Sequence, residues 1–183
     1  MTTALDLTAT PSRARRFACM MYEGVLLFGI VFLADYLLDT LTQSRHALAL
    51  RPQRQAWLFL VIGIYFVLCW RRGGQTLPMK TWHIRLVDRD GQRPGAARLA
   101  WRYVLIWPPM LAVIGLISLG STLTGWRSVD MLVVVAPFAS FLWTWVDAEG
   151  QFLHDRLAGT RLRNAAPKRQ PSPVQQGRDT SVT

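Results

Sequence analysis

Few side chains in this sequence can do chemistry, and most of them are carboxylates set within apolar runs. Glu23 lies seven residues after Arg16, so both project from one helix face, two turns apart. On the helical rise Glu23 sits roughly 9 Å in from Phe17. An acid at that depth is costly unless it is paired, protonated or hydrated. A structural role, as an ion pair or a protonated carboxyl, ranks ahead of a proton or cation site. Asp35 and Asp39 lie one turn apart and could share a cation or a proton. Asp39 falls at the membrane edge, where a solvated acid is ordinary; Asp35 is a turn deeper.

Asp147 closes the last apolar run, and His154-Asp155-Arg156-Leu157-Ala158-Gly159-Thr160 follows shortly after. One His-Asp doublet does not make a metal-dependent hydrolase. His46, His83 and His154 have no ligand spacing. There is no nucleotide loop, nucleophile elbow or zinc motif, so the reading is not an enzyme, with no metal or cofactor. Together Arg16, Glu23, Asp147 and the His154-Asp155-Arg156 group suggest a charge network joining both ends of the chain.

The elements that position these groups are four apolar runs, at about 17–41, 56–70, 103–121 and 129–146. About 20 apolar residues at about 1.5 Å each match a bilayer's hydrocarbon core. The expected fold is an all-α polytopic membrane protein: four transmembrane helices with a cytoplasmic basic loop between the second and third. The second run is short and must borrow flanking residues, with Arg54 and Arg71 snorkelling. Pro108-Pro109 and Pro137 are expected to kink the third and fourth spans. Within 71–102, residues 82–87 alternate in polarity before Asp88-Arg89-Asp90-Gly91, which reads as a strand entering a turn with Gly91 at positive φ. Residues 95–102 read as helix. Residues 1–12 are expected to be flexible, 13–164 to form the membrane unit, and 165–183 to be a disordered tail.

The net charge is +10 and half the residues are hydrophobic. The basic residues cluster beside the ends of the apolar runs rather than in an aromatic-interleaved stripe, which disfavours nucleic acid. With both termini in the cytoplasm, seventeen Lys and Arg lie inside against four outside. Arg71, Arg72, Lys80, Arg85, Arg98 and Arg102 are candidates for anionic lipid headgroups. The start of the chain superficially resembles a signal peptide, but the run is too long, contains Glu23 and lacks a small-residue cleavage site. Cys19 and Cys69 both fall in apolar runs and are read as free thiols.

The order of local motifs resembles the RDD family of bacterial membrane proteins. The elements are Arg15-Arg16-Phe17-Ala18 leading to Tyr22-Glu23; Gly73-Gly74-Gln75-Thr76-Leu77-Pro78-Met79-Lys80, then Trp82-His83-Ile84-Arg85-Leu86-Val87-Asp88 and Gly91; Arg102; and Asp147 with 154–160. They cover about 12–164. The resemblance implies that Arg16 is the family's arginine, that Glu23 replaces its usual first aspartate, and that Asp147 or Asp155 is the second. Pro78 stands where the family usually has glycine. The resemblance further implies the bacterial cytoplasmic (inner) membrane. It also implies a link to cation/proton antiport, in which sodium or protons move by way of embedded acids. Four spans give little volume for alternating access, so transport implies a homo-oligomer. The alternative is a non-catalytic membrane assembly or regulatory partner protein.

Overall fold

The computed structural model describes residues 9–42 and 51–165. Arg45, His46, residues 1–8 and residues 166–183 of the expected tail lie outside the described residues. Among the described residues, four helical segments are long and apolar enough to cross a membrane. The first is α1 (Arg13–Thr42). The second, α2 (Arg51–Gly73), reaches 23 residues by taking in Arg54, Arg71 and Arg72 at its ends. Large apolar side chains on the spans face outward: Phe28 and Phe32 on α1, Leu60 and Ile64 on α2. Such a belt is untenable in water and ordinary in lipid.

A short α3 (Leu77–Thr81) follows α2. The Thr76 hydroxyl caps it by accepting from the Met79 N–H at 3.4 Å, and Pro78 sits in the first turn, where its missing N–H is not needed. Strand β1 (Ile84–Asp88) comes next, as the alternation anticipates. Its turn is held by Asp88 Oδ1, which accepts from the Asp90 and Gln92 N–H groups, and Gly91 has φ of 77°.

Helix α4 (Ala96–Thr124) begins well before the third apolar run and continues through Pro108-Pro109 without a break. The prolines thus sit inside one uninterrupted helix rather than dividing the span into two. The proline pair costs two backbone donors but not helical continuity, a cost a neighbouring span can offset in lipid. The fourth span, 128–145, is mostly not α-helical. A 3-10 segment covers Arg127–Phe138, α5 covers Ala139–Leu142 and a second 3-10 turn covers Trp143–Trp145. Val133, Val134 and Val135 are β-branched, and Pro137 cannot donate to the turn before it. At about 2.0 Å per residue the tighter helix also stretches a short span toward bilayer thickness.

Beyond the spans, α6 (Leu153–Ala158) leads into β2 (Thr160–Asn164). This second strand was not anticipated. It pairs antiparallel with β1, setting Leu86 opposite Leu162. The small sheet lies against α4: Ile84, Leu86, Leu99, Tyr103, Leu162 and Trp70 form one buried cluster. Ala9 and Thr10 join this region, Ala9 accepting from the Asn164 N–H and Thr10 from Gln151.

Candidate functional site

The helix packing that builds the site begins with a glycine. A Cβ at Gly63 would stand 2.8 Å from the Tyr103 ring, so α2 and α4 meet there at close range. The Tyr103 hydroxyl donates to the Phe59 carbonyl at 2.7 Å and reinforces that contact.

The three arginines that open α1 reach three different parts of the chain. Arg13 donates to the Thr144 carbonyl at 3.2 Å. Arg15 donates to Asn164 Oδ1 at 2.8 Å and to the carbonyls of Trp82 and His83. Arg16 donates to the Gly150 carbonyl and lies over the Phe152 ring, 5.3 Å from its centroid. Arg16 therefore does not pair with Glu23, although the two share a helix face.

Glu23 instead crosses to α2 and its C-terminal loop. Oε1 accepts from the Tyr65 hydroxyl at 2.7 Å and Oε2 from the Thr76 hydroxyl at 2.5 Å. The glycine pair before Thr76 sets this up. Gly74 has φ of 66°, and a Cβ there would meet the Leu86 carbonyl oxygen at 3.0 Å. The Gly74 carbonyl in turn accepts from the Leu86 N–H at 2.8 Å.

Asp155 is wholly buried. Oδ1 accepts from Arg102 Nε at 2.6 Å and from the Thr160 hydroxyl at 2.8 Å. Arg102 is itself buried, with its guanidinium 4.3 Å from the Trp70 ring centroid. This corrects the placement of Arg102 among headgroup contacts: its side chain is committed to the interior. Arg71, Arg72, Lys80 and Arg85 are exposed, while Arg98 is half-exposed with Asp88 at 3.7 Å.

His154 stacks on Phe152, with ring centroids 5.2 Å apart. Burial pushes its imidazole down to about 4, with Arg102 adding to the shift and Asp155 opposing it. The neutral ring lies 3.8 Å from Asp155 Oδ2, so that contact is not an ion pair. Burial alone would raise the Asp155 carboxyl. The Arg102 charge and the hydrogen bonds from Arg102 and Thr160 outweigh it and hold Asp155 below its ordinary value.

Asp147 does different work. Its Oδ2 accepts from the N–H groups of Glu149 and Gln151, shaping the turn that presents the Gly150 carbonyl to Arg16. Arg156, half-exposed, reaches Asp147 Oδ1 at 3.3 Å and Glu149 at 3.4 Å. The expected network thus divides in two: Arg102–Asp155–Thr160 inside, and Asp147–Arg156–Glu149 at the rim. Asp35 belongs to neither. Asp35 and Asp39 both accept from Arg54, at 2.5 and 2.6 Å, so the cation they share is a guanidinium on α2.

These groups surround a cavity of about 350 Å³ between α1, α2, α4 and the fourth span. Arg16, Glu23, Arg102 and His154 line it, with Trp70 and Phe66 among the apolar walls.

The RDD family model matches residues 10–159. The chain belongs to the RDD family. Neither the curated proteins nor the solved structures gave a match. Arg15-Arg16 ties α1 to the sheet and the 147–150 turn, the Gly73–Lys80 stretch forms the Glu23 partner and α3, and 154–160 forms α6 and its cap. The matched stretch ends at Gly159, whose φ of 65° closes α6, just before β2.

Sequence reasoning missed Tyr65, Thr76, Thr160 and Gln151. Gln151 is buried, accepting from the Leu162 N–H and donating to Thr10. Thr76 and Thr160 sat within quoted motifs, and their hydroxyls were the available signal. Tyr65 is one aromatic among many in an apolar run and gave none.

Proposed function

We propose that this RDD protein moves protons or sodium ions across the bacterial inner membrane, with Glu23 as the ion-binding group. The observation that carries the reading is that Glu23 lines a cavity within the membrane unit while two hydroxyls hold its oxygens. A carboxylate so held can take up a proton, or offer oxygens to a small cation together with the Thr76 and Tyr65 hydroxyls. Asp35, neutralised by Arg54, has no such role. The basic distribution supports a cytoplasmic side for both termini and the 71–102 segment, which would set Arg71, Arg72, Lys80 and Arg85 against anionic headgroups. Four spans give little room for alternating access, so the working unit is a homo-oligomer.

The test is flux into vesicles holding the purified protein. A sodium gradient should drive proton movement in wild type and not in Glu23→Gln. Wild-type flux equal to that of empty vesicles ends the reading. A second reading, a non-transporting assembly partner, draws on the exposed basic residues around α3 and β1. It requires a stoichiometric companion after purification in gentle detergent.

A further inference from the structure

The cavity has an imbalance that ion movement does not use. Arg16 is 3% exposed, yet it makes no ion pair among the described residues. Its acceptor is a neutral backbone carbonyl, its neighbour is an aromatic face, and its Nε has no acceptor among the described residues. A buried cation left that way is costly. His154 stands on the same cavity. Arg102 can only donate, so His154 Nε2 accepts from it at 3.2 Å, and Nδ1 must carry the hydrogen. That Nδ1 is likewise without a partner. A further cavity-lining side chain, Trp70, also keeps an N–H without an acceptor among the described residues. Glu23, the carboxylate on the lining, already accepts a hydroxyl at each oxygen, from Tyr65 and from Thr76.

The lining therefore holds surplus donors and a buried guanidinium without a direct ion pair among the described residues, the carboxylates of Asp155 and Asp147 acting on it only from beyond contact, with apolar walls running on to Leu27 and Met110. The complement is an acceptor-bearing anion with an apolar body. The volume lies at the low end of small-molecule sites, roughly 300–1,000 Å³, which suits one chain rather than a two-chain phospholipid. We propose that this cavity binds a single-chain amphipathic oxyanion, its head at the Arg16 and His154 end and its alkyl tail along α1 and α4. The same chemistry is offered by a free long-chain carboxylate and by a lipid-derived phosphate monoester.

The experiment uses the full chain in nanodiscs of zwitterionic lipid. Brominated dodecanoate and brominated dodecyl phosphate are titrated, with the brominated alcohol and amine as controls, and tryptophan quenching is read. Of the eight tryptophans, Trp70 and Trp107 line the cavity, and they serve as the reporters once the other six are replaced by phenylalanine in the background used for every measurement. Saturable quenching by either anion, about tenfold or more tighter than by the alcohol, is expected. The tighter of the two anions identifies the source. Arg16→Gln should bring the anions down to the level of the alcohol. Should that variant not fold, Gly24→Leu carries the test. Gly24 lines the cavity and a Cβ there meets nothing within 4 Å, so a side chain can be started at this position and extended into the cavity. The leucine should abolish saturable quenching while keeping Arg16. Anions no tighter than the alcohol, tighter binding of the amine, or undiminished binding in Gly24→Leu would overturn the proposal. No ion gradient enters the measurement, so a failed flux assay and a failed binding assay are distinct results.

Discussion

Two arginine–carboxylate clusters among the described residues share their chemistry and differ in burial. Arg54 bridges Asp35 and Asp39 between α1 and α2, with the carboxylates 34% and 42% exposed. Arg102 meets Asp155 with both side chains almost out of solvent, at 6% and 0%. The distances are alike, 2.5–2.6 Å in each. Distance therefore does not rank them; the cost of leaving one partner alone does. An exposed pair loses a screened attraction, whereas a buried one leaves a charge in low dielectric.

The largest effect should come from breaking the buried pair. Asp155→Asn keeps the shape and the acceptor for Thr160 but removes the counter-charge of Arg102. It should cost about 3–5 kcal/mol, or roughly 10 °C in thermal unfolding in detergent for a chain of this size. The double variant Arg102→Met, Asp155→Leu should recover much of that loss, because an apolar pair leaves no charge unpaired. If Asp155→Asn unfolds within a degree or so of wild type, burial is not what separates the clusters.

Acid should expose the same asymmetry. His154 has an ordinary value of 6.5 and is pushed down to about 4 in the folded protein. Between those values the unfolded chain binds the proton and the folded one does not, so stability falls as the pH is lowered from about 6.5 to 4. The full loss is on the order of 3 kcal/mol. Asp155 acts in the same direction at lower pH: its depressed carboxyl contributes stability that is lost as pH falls through its folded value, below 3.8. His154→Gln keeps an acceptor for Arg102 and cannot titrate, so it should flatten the upper part of the profile. An unchanged profile in that variant would place the acid sensitivity elsewhere.

Between the extremes stands the rim cluster. Asp147 is 4% exposed while its partner Arg156 is 48% exposed. The carboxylate is held by two backbone N–H groups as well as by the arginine. Asp147→Ala should therefore destabilise by about 1–2 kcal/mol more than Arg156→Gln. Equal effects would mean that the ion pair, rather than the turn, is what Asp147 provides.

The same contrast explains what could be read from the sequence. The spans were legible because lipid requires long apolar runs, and β1 because Trp82–Val87 alternates and Asp88–Gly91 carries turn chemistry. Strand β2 was not: Thr160, Leu162 and Asn164 alternate with Arg161 and Arg163 over only five residues, and its partner lies more than seventy positions away. The 3-10 form of the fourth span was hidden for a related reason, since its valine run and Pro137 disfavour an α-helix without naming a substitute. At the site, burial was the missing quantity. Arg102 reads like any loop-edge arginine until β1, β2 and α6 enclose it. Arg16 and Glu23 lie on one face as the spacing requires, but the packing of α2 gave Glu23 two hydroxyls and the 147–150 turn gave Arg16 a carbonyl.

The smallest effect should come from the exposed cluster, and its form is as telling as its size. Because Asp35 and Asp39 bind different nitrogens of Arg54, either carboxylate can serve alone. Asp35→Asn should leave the unfolding temperature nearly unchanged, and Arg54→Gln should lower it slightly at low ionic strength. In about 0.5 M salt even that difference should close, since charges open to solvent are screened over a few ångströms. The Asp155→Asn deficit should persist in the same salt, because ions do not reach a carboxylate with no exposed surface. A salt-insensitive loss in Arg54→Gln would mean that this end of the bundle is enclosed by a neighbouring subunit or by lipid, and would put the two clusters in one class.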